Sequence, residues 1–457
     1  MMAQKHSPAG WWIFFFMVSL IHGTAAPAHD QFQQRLILPR TNYVVVTTDN
    51  VGATFETGEP LLIPNAKRET IWFEWTPPAN GNYLISTFGS SFDTVLGVFT
   101  GNSVSALSQV AVDNDGVDPW GPAGGDLIAL TNASASVAYK IAVDGVAGNP
   151  PGVVRLVIVP NNDLFADRRL VSGAFVEQIS YNGKAGKEPY EHTHATGSIF
   201  RGTNPPGKSL WWEWTPPAPG SYLVSTYPSS CQTVLSLYRA TGPGITNLVK
   251  VASDTEVYWG GDMSIDRFGN LIAFTVTSTS EVYRIAVDGA QWVDGGVTNT
   301  QSGEITLRIQ PHNDHLSQAL LLTGAVVTAT GMNGLATEEP NESTKINATQ
   351  DDPFNTRFFP RRTVWWKWSP PVNGNYLITT YGSMFNTFLG VLTNAQNPPT
   401  IAGLSWAVAP DTSDDNGASA MDTTSLVPLV NAQTNQIYYI FVDGAYDVNA
   451  ENYGFIK

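Results

Sequence analysis

The chain has 457 residues, with 24 Lys and Arg against 39 Asp and Glu, for a formal net charge of -15. That balance excludes a nucleic-acid partner, whose binding rests on basic patches that release counterions, and favours a soluble surface that attracts divalent cations. Charged residues are scarce while Gly, Pro, Thr, Asn and Trp are plentiful, the balance of turn-rich all-β secreted domains; the length allows roughly three of them.

At the N-terminus, Lys5 and His6 precede an apolar run from Trp11 to Ile21 and then small residues through Ala28. The run is too short to span a bilayer comfortably and has the form of a secretory signal peptide over residues 1–28, cleaved after Ala25 or Ala28. The competing reading is a retained membrane anchor. No second apolar stretch follows, so no membrane span is expected after cleavage.

Beyond the leader, repeat 1 carries eight strand candidates, at 43–47, 70–75, 82–87, 94–100, 108–112, 126–131, 137–143 and 153–159. Short β-branched and aromatic runs separated by turn signals predict a sandwich or barrel. The segment Ile71-Trp-Phe-Glu-Trp-Thr-Pro-Pro78 recurs as Leu210-Trp-Trp-Glu-Trp-Thr-Pro-Pro217 and Val364-Trp-Trp-Lys-Trp-Ser-Pro-Pro371, so the chain is an array of one module. Each copy leads into a reversal such as Pro77-Pro78-Ala-Asn80-Gly81, where prolines forbid ladder donors and glycine permits positive φ. Asn162-Asp163 and Asn313-Asp314 follow strands ending in Pro160 and Pro311, which predicts repeats at 29–160, 161–312 and 313–457 joined by short linkers.

Period-2 alternation places Phe73 and Trp75, Trp212 and Trp214, and Trp366 and Trp368 on the core face. Trp72, Trp211 and Trp365 fall on the other face, beside Glu74, Glu213 and Lys367. An outer aromatic next to a charge is suited to stacking on a sugar ring; the alternative is a ring covered by a loop or packed at the rim of the second sheet. The single cysteine, Cys231, excludes an intrachain disulfide despite export. It occupies the place of Phe92 and Phe385 and is expected to be a buried apolar substitute.

Taken in order, Trp-x-x-Trp-Thr-Pro-Pro-Ala-x-Gly-x-Tyr, Ser91-Phe-Asp-Thr-Val-Leu-Gly-Val-Phe-Thr-Gly101, Val112-Asp-Asn-Asp and Tyr139-Lys-Ile-Ala-Val-Asp-Gly145 resemble the bacterial pre-peptidase C-terminal (PPC) domain and its relatives. The openings Asn162-Asp-Leu-Phe-Ala-Asp167 and Asn313-Asp-His-Leu-Ser317 are similar to that family's Asn-Asp-x-Phe start. The resemblance covers essentially the whole mature chain. It implies an all-β protein of three tandem jelly-roll-like β-sandwich domains, serving as accessory modules of secreted hydrolases or as part of a bacterial surface protein. Some relatives bind calcium through acidic and amide residues in loops. Here the matching oxygens are Asp113 and Asp115 in repeat 1, and Asp411, Asp414 and Asp415 in repeat 3, with only Asp254 and Glu256 in repeat 2. Calcium favours such clusters, although Asp-Asn-Asp-Gly is also ordinary turn chemistry. The motifs Glu56-Thr-Gly-Glu-Pro60, Glu188-Pro189 and Glu338-Glu-Pro340 recur ahead of each Trp strand and suit a structural loop.

Nucleophile elbows, zinc-protease helices and phosphate loops are absent from the sequence. His192 and His194 could form a zinc site with Glu188 or Glu191, but repeats 1 and 3 lack matching histidines. Asp144, Asp288 and Asp443 each precede a glycine at a strand end, where a carboxylate bonds nearby amides. Asp93 is replaced by Gln232 and Asn386, an exchange no catalytic carboxylate tolerates. The expectation is a non-enzymatic secreted or cell-surface array for binding, adhesion or spacing, with no required cofactor and an unidentified protein or glycan surface as partner. Two alternatives stand beside it: accessory domains of a secreted peptidase or glycosidase whose catalytic part lies elsewhere, and a carbohydrate-binding module. In repeat 3 only Gly454-Phe-Ile-Lys457 matches the last strand of repeat 2 at 303–309, so that strand is expected to be short or the chain a fragment.

Overall fold

The computed structural model describes residues 26–114, 125–198, 202–204, 207–254, 269–294, 297–346, 362–408, 424–444 and 453–457. All but the last three positions of the expected leader therefore lie outside the described residues. Among those described, regular structure is nearly all β, and the single α-helix is Glu342–Lys345.

Repeat 1 begins its first sheet at Ile71–Trp75, a run of branched and aromatic side chains suited to a pleated, buried surface. It pairs antiparallel with Tyr139–Gly145, which pairs with Thr94–Thr100 and then Ser108–Asp113. The two-residue strand Leu36–Ile37 joins the other edge in parallel. The second sheet runs Val44–Asp49, Val153–Pro160, Gly81–Ser86, Leu127–Ala133. All eight strands expected in this repeat are present, with ends moved by a residue or two. The parallel edge strand has no sequence signal, because two residues display no period.

Between the sheets lies the core. Ile71, Phe73 and Trp75 from one side meet Tyr83, Ile85, Leu156 and Ile158 from the other, as alternation requires. Repeat 2 reproduces both sheets, with Leu210–Trp214 and Tyr283–Gly289 at the centre of one and Glu304–Pro311 and Gly220–Ser225 at the centre of the other. Cys231 is buried in its core, as expected of a residue standing for phenylalanine. The expectation that the turn glycines adopt positive φ holds only at Gly220, at +148°; Gly81 and Gly374 turn the chain without it.

Repeat 3 builds the same first sheet, centred on Val364–Trp368 and Tyr438–Gly444. Its second sheet is split. Gly331–Met332 pairs with Phe455–Ile456, while Gly374–Thr379 pairs with Leu426–Ala432, and no described strand joins the halves.

Candidate functional site

Trp72, Trp211 and Trp365 are on the outer face, as parity predicts, but all three are 0% exposed. The stacking reading is therefore corrected: no ring face is open to a sugar. The covering comes from the domain opening and the loop ahead of the Trp strand. Phe32 meets Trp72 edge-on at 5.2 Å, with Phe99 and Leu62 closing the cluster. Phe165 meets Trp211 in the same way at 5.1 Å, and Trp365 is enclosed by Leu316, Ile346, Phe388 and Phe441.

A pair of glutamates three residues apart pins each covering loop. Glu56, Glu188 and Glu339 accept the backbone N–H of Phe32, Phe165 and Leu316 at 2.9, 2.5 and 2.6 Å. Glu59, Glu191 and Glu342 in turn accept the N–H of that first glutamate at 3.1, 2.9 and 2.7 Å. The recurrence of these acidic motifs is visible in the sequence; their spacing of three is the signal that reveals their shared role. Burial raises the Glu59 carboxyl, which also accepts Trp72 Nε1–H at 3.0 Å, and pushes Glu342 up to about 8. At Glu191 burial acts in the same upward direction, but hydrogen bonds from His194 and Ser209 outweigh it and the carboxyl is lowered.

Repeat 2 brings Ser209, His194 and Glu191 together, an arrangement with the composition of a nucleophilic triad. In such a triad the serine and the carboxylate bond opposite ring nitrogens. Here both face Nε2, Ser209 Oγ at 2.8 Å and Glu191 Oε1 at 3.3 Å, while Nδ1 lies 3.1 Å from the Tyr238 hydroxyl. His194 and Ser209 are fully buried. Both His194 nitrogens lie within hydrogen-bond distance of protein groups. Among the described residues, no group of three or more His, Cys, Asp or Glu side chains gathers as if for a metal ion.

Asp113, a described candidate for calcium, accepts Leu127 N–H at 2.9 Å and faces Lys184 Nζ at 3.2 Å. Asp254 does the same for Leu271 N–H at 2.8 Å, so this carboxylate closes a strand start in both repeats. Asp115, Asp411, Asp414 and Asp415 lie outside the described residues. Asp144 accepts the N–H groups of Arg68, Glu69 and Gly145, and Asp288 those of Gly207, Lys208 and Gly289, the turn role expected for them.

A buried hydroxyl relay is less apparent from the sequence. Thr87 and Thr94 lie 2.6 Å apart, and Thr94 donates to Asp126 at 2.6 Å. Thr226, Thr233 and Asn270 repeat the arrangement, as do Thr380, Thr387 and Ser425. The seven-residue Thr spacing in every repeat is its trace in the sequence. Burial pushes Asp126 up to about 8, so at neutral pH it behaves like the uncharged Asn270.

Repeats also meet each other through equivalent surfaces. The outward face of the second sheet in repeat 1, with Leu84, Phe88, Val157 and Val159, packs on Ile179 and Tyr181 of repeat 2. Arg155 of repeat 1 pairs with Glu304 of repeat 2 at 2.6 Å, and Tyr181 donates to the same carboxylate at 2.9 Å. The matching face of repeat 2, with Leu223, Tyr227 and Leu271, packs on Met332, Leu335, Met384 and Phe455 of repeat 3. Arg308 lies over Phe455 at 4.4 Å.

No protein-family model matches the chain, and no curated protein matches it. Among solved structures it is similar to an uncharacterized protein from Burkholderia cenocepacia, at 9% identity over 60% of this chain and 83% of that one, TM-score 0.19. It is similar to the PBSX exported protein XepA at 10% identity over 60% and 83%, TM-score 0.13. It is similar to dimeric latent PorU from Porphyromonas gingivalis at 12% identity over 85% and 33%, TM-score 0.16. Likenesses of this size carry no functional argument. Among the described residues no helix is long and apolar enough to cross a membrane.

Proposed function

We propose that the chain is a secreted or cell-surface array of three PPC-like sandwich repeats that spaces and presents a binding surface without catalysing a reaction. The two serial junctions are the observation that carries this reading. A chain whose modules merely follow one another on flexible linkers has no need to bury Leu84 and Leu223, each 1% exposed on the outward face of a sheet, beneath the next module. Apolar faces closed by an Arg155–Glu304 ion pair and a Tyr227–Met384 contact at 3.0 Å resist bending, which suits a spacer. The recurring carboxylates support the same reading, since each described pair is spent on backbone amides of its own repeat.

Small-angle X-ray scattering of the full chain tests the proposal. A stiff row is expected, with one dominant maximum dimension that shortens or broadens when Tyr181 and Tyr227 are both replaced by Ala. A pull-down from cell-surface material and a glycan array then search for the partner. Hydrolytic activity abolished by one point substitution would overturn the non-catalytic role.

A further inference from the structure

Repeat 2 departs from repeat 1 at two places, each lengthened by the same amount. From Glu191 to Leu210 the chain advances 19 positions, against 12 from Glu59 to Ile71, and from Gly289 to Gly303 it advances 14, against 7 from Gly145 to Gly152. Each extra length folds as a hairpin, Ala195–Ser198 with Gly202–Asn204 and Gln291–Asp294 with Val297–Thr300. Repeat 1 has only a single bridge there, between Ala66 and Val146. The two additions are joined at their bases. A Cβ at Gly207 would lie 2.6 Å from both Gln291 Nε2 and Thr300 Oγ1, so glycine is what lets the first loop close on the second hairpin. The core of repeat 2 draws on neither hairpin, and surface loops of that kind are where binding residues are carried.

The first of these loops opens on Tyr190. Its backbone is left-handed, at φ +66°, the conformation that repeats 1 and 3 give to Gly58 and Asn341 at +92° and +69°. Glycine and asparagine adopt it readily; a ring-bearing residue does so at a cost. The turn holds it there, with Glu188 N–H donating to Glu191 Oε2 at 2.9 Å and Glu188 Oε2 accepting Phe165 N–H at 2.5 Å. Glu191, the next residue, also reaches His194, which Ser209 bonds at 2.8 Å two residues from Gly207. The tyrosine turn and the hairpin junction are therefore one bonded unit. Yet Tyr190 is 80% exposed, more than any other described aromatic. A strained backbone that presents a ring to solvent stabilises nothing in the fold, and such positions gather at binding sites.

We infer that Tyr190 is the stacking platform of a binding site for a neutral saccharide, built on repeat 2 alone. This gives the presenting role proposed above a place and a ligand class, and it rests on that reading. The ring supplies the apolar surface that the C–H face of a sugar covers, and the fixed turn presents it without an ordering cost on binding. Lys187 is the one exposed charge of the turn, beside exposed Pro189 and Thr193, while Glu188 and Glu191 are spent on backbone amides and His194. The described end of the second hairpin, Thr298-Asn299-Thr300, adds hydroxyl and amide groups, which both donate and accept as sugar hydroxyls do. A chain of net charge -15 repels anionic polymers, which favours neutral saccharides over sulfated ones. Repeats 1 and 3, with Gly58 and Asn341 at the same turn, have no ring to offer.

Affinity electrophoresis of the full chain through gels containing a soluble β-glucan, an α-mannan, a galactan or a sulfated galactan tests the assignment. Retardation by at least one neutral polysaccharide is expected, weakened roughly tenfold in Tyr190→Gly and kept within about twofold in Tyr190→Phe, whose ring stacks without the hydroxyl. Tyr190→Gly copies repeat 1 and relieves the left-handed tyrosine, so it should melt no lower than the unaltered chain, and lost retention is then the loss of the ring. No retardation by any neutral polysaccharide, retardation by the sulfated galactan alone, or equal retardation of Tyr190→Gly would each overturn the assignment. The spacer role stands or falls separately, on the scattering of the row and its two junctions.

Discussion

Repeats 2 and 3 share a Trp strand, a turn and a first sheet, yet the same leucine in their second sheets has opposite fates. Leu223 is 1% exposed beneath repeat 3, whereas Leu377 is 62% exposed. The difference does not arise in the strand itself, since Gly-Ser-Tyr-Leu-Val-Ser and Gly-Asn-Tyr-Leu-Ile-Thr are almost the same sequence. It arises from what is laid beside and above the strand: a paired Glu304–Pro311 and a following module in one case, and neither of these among the described residues in the other. Burial in this protein is a property of neighbours more than of the segment buried.

Core substitutions give the widest separation between the two repeats. Trp212→Ala should cost about 3–5 kcal/mol, because it empties a closed core. Trp366→Ala should cost less, because among the described residues that ring already lines a cavity of about 240 Å³. Urea denaturation of both variants checks this, and equal losses would break the contrast. At the junction, Glu304→Ala removes the acceptor shared by Arg155 and Tyr181 and should cost about 2 kcal/mol, seen as a lowered thermal midpoint.

Asp126 extends the comparison to repeat 1. Burial holds its folded-state pKa at about 8, above that of an unfolded aspartate, so the unfolded chain loses its proton first as pH rises. Its contribution to stability therefore declines from about pH 4 to about pH 8, each pKa unit of difference being ~1.4 kcal/mol before relaxation is allowed for. Asp126→Asn, which copies Asn270 of repeat 2, should flatten that decline and gain at least ~1 kcal/mol at pH 8. Unfolding curves at pH 5 and pH 8 measure it. The smallest effect is expected for Leu377→Ser, within ~0.5 kcal/mol, against about 2 kcal/mol for Leu223→Ser at its buried counterpart. Comparable losses at the two leucines would mean that Leu377 is covered in solution.

Much of the fold is legible in the chain. The eight strands of repeat 1, the core-facing Phe73 and Trp75, and the turn role of Asp144 and Asp288 follow from period, proline placement and local hydrogen bonding. The functional candidates fared differently. Parity assigns Trp72, Trp211 and Trp365 correctly to the outer face, but their loops, anchored by Glu56, Glu188 and Glu339, carry no period from which coverage can be inferred. The Ser209, His194 and Glu191 cluster likewise draws on residues whose meeting depends on how that loop folds back.

By itself, then, the sequence determined the triplication, the all-β class and the face on which each strand residue lies, because alternation is a local steric consequence of the extended backbone. Only the tertiary structure decided which outer aromatic faces are covered and which carboxylates are spent on amides. Those outcomes depend on segments distant in sequence arriving at one place, and no local pattern encodes an arrival.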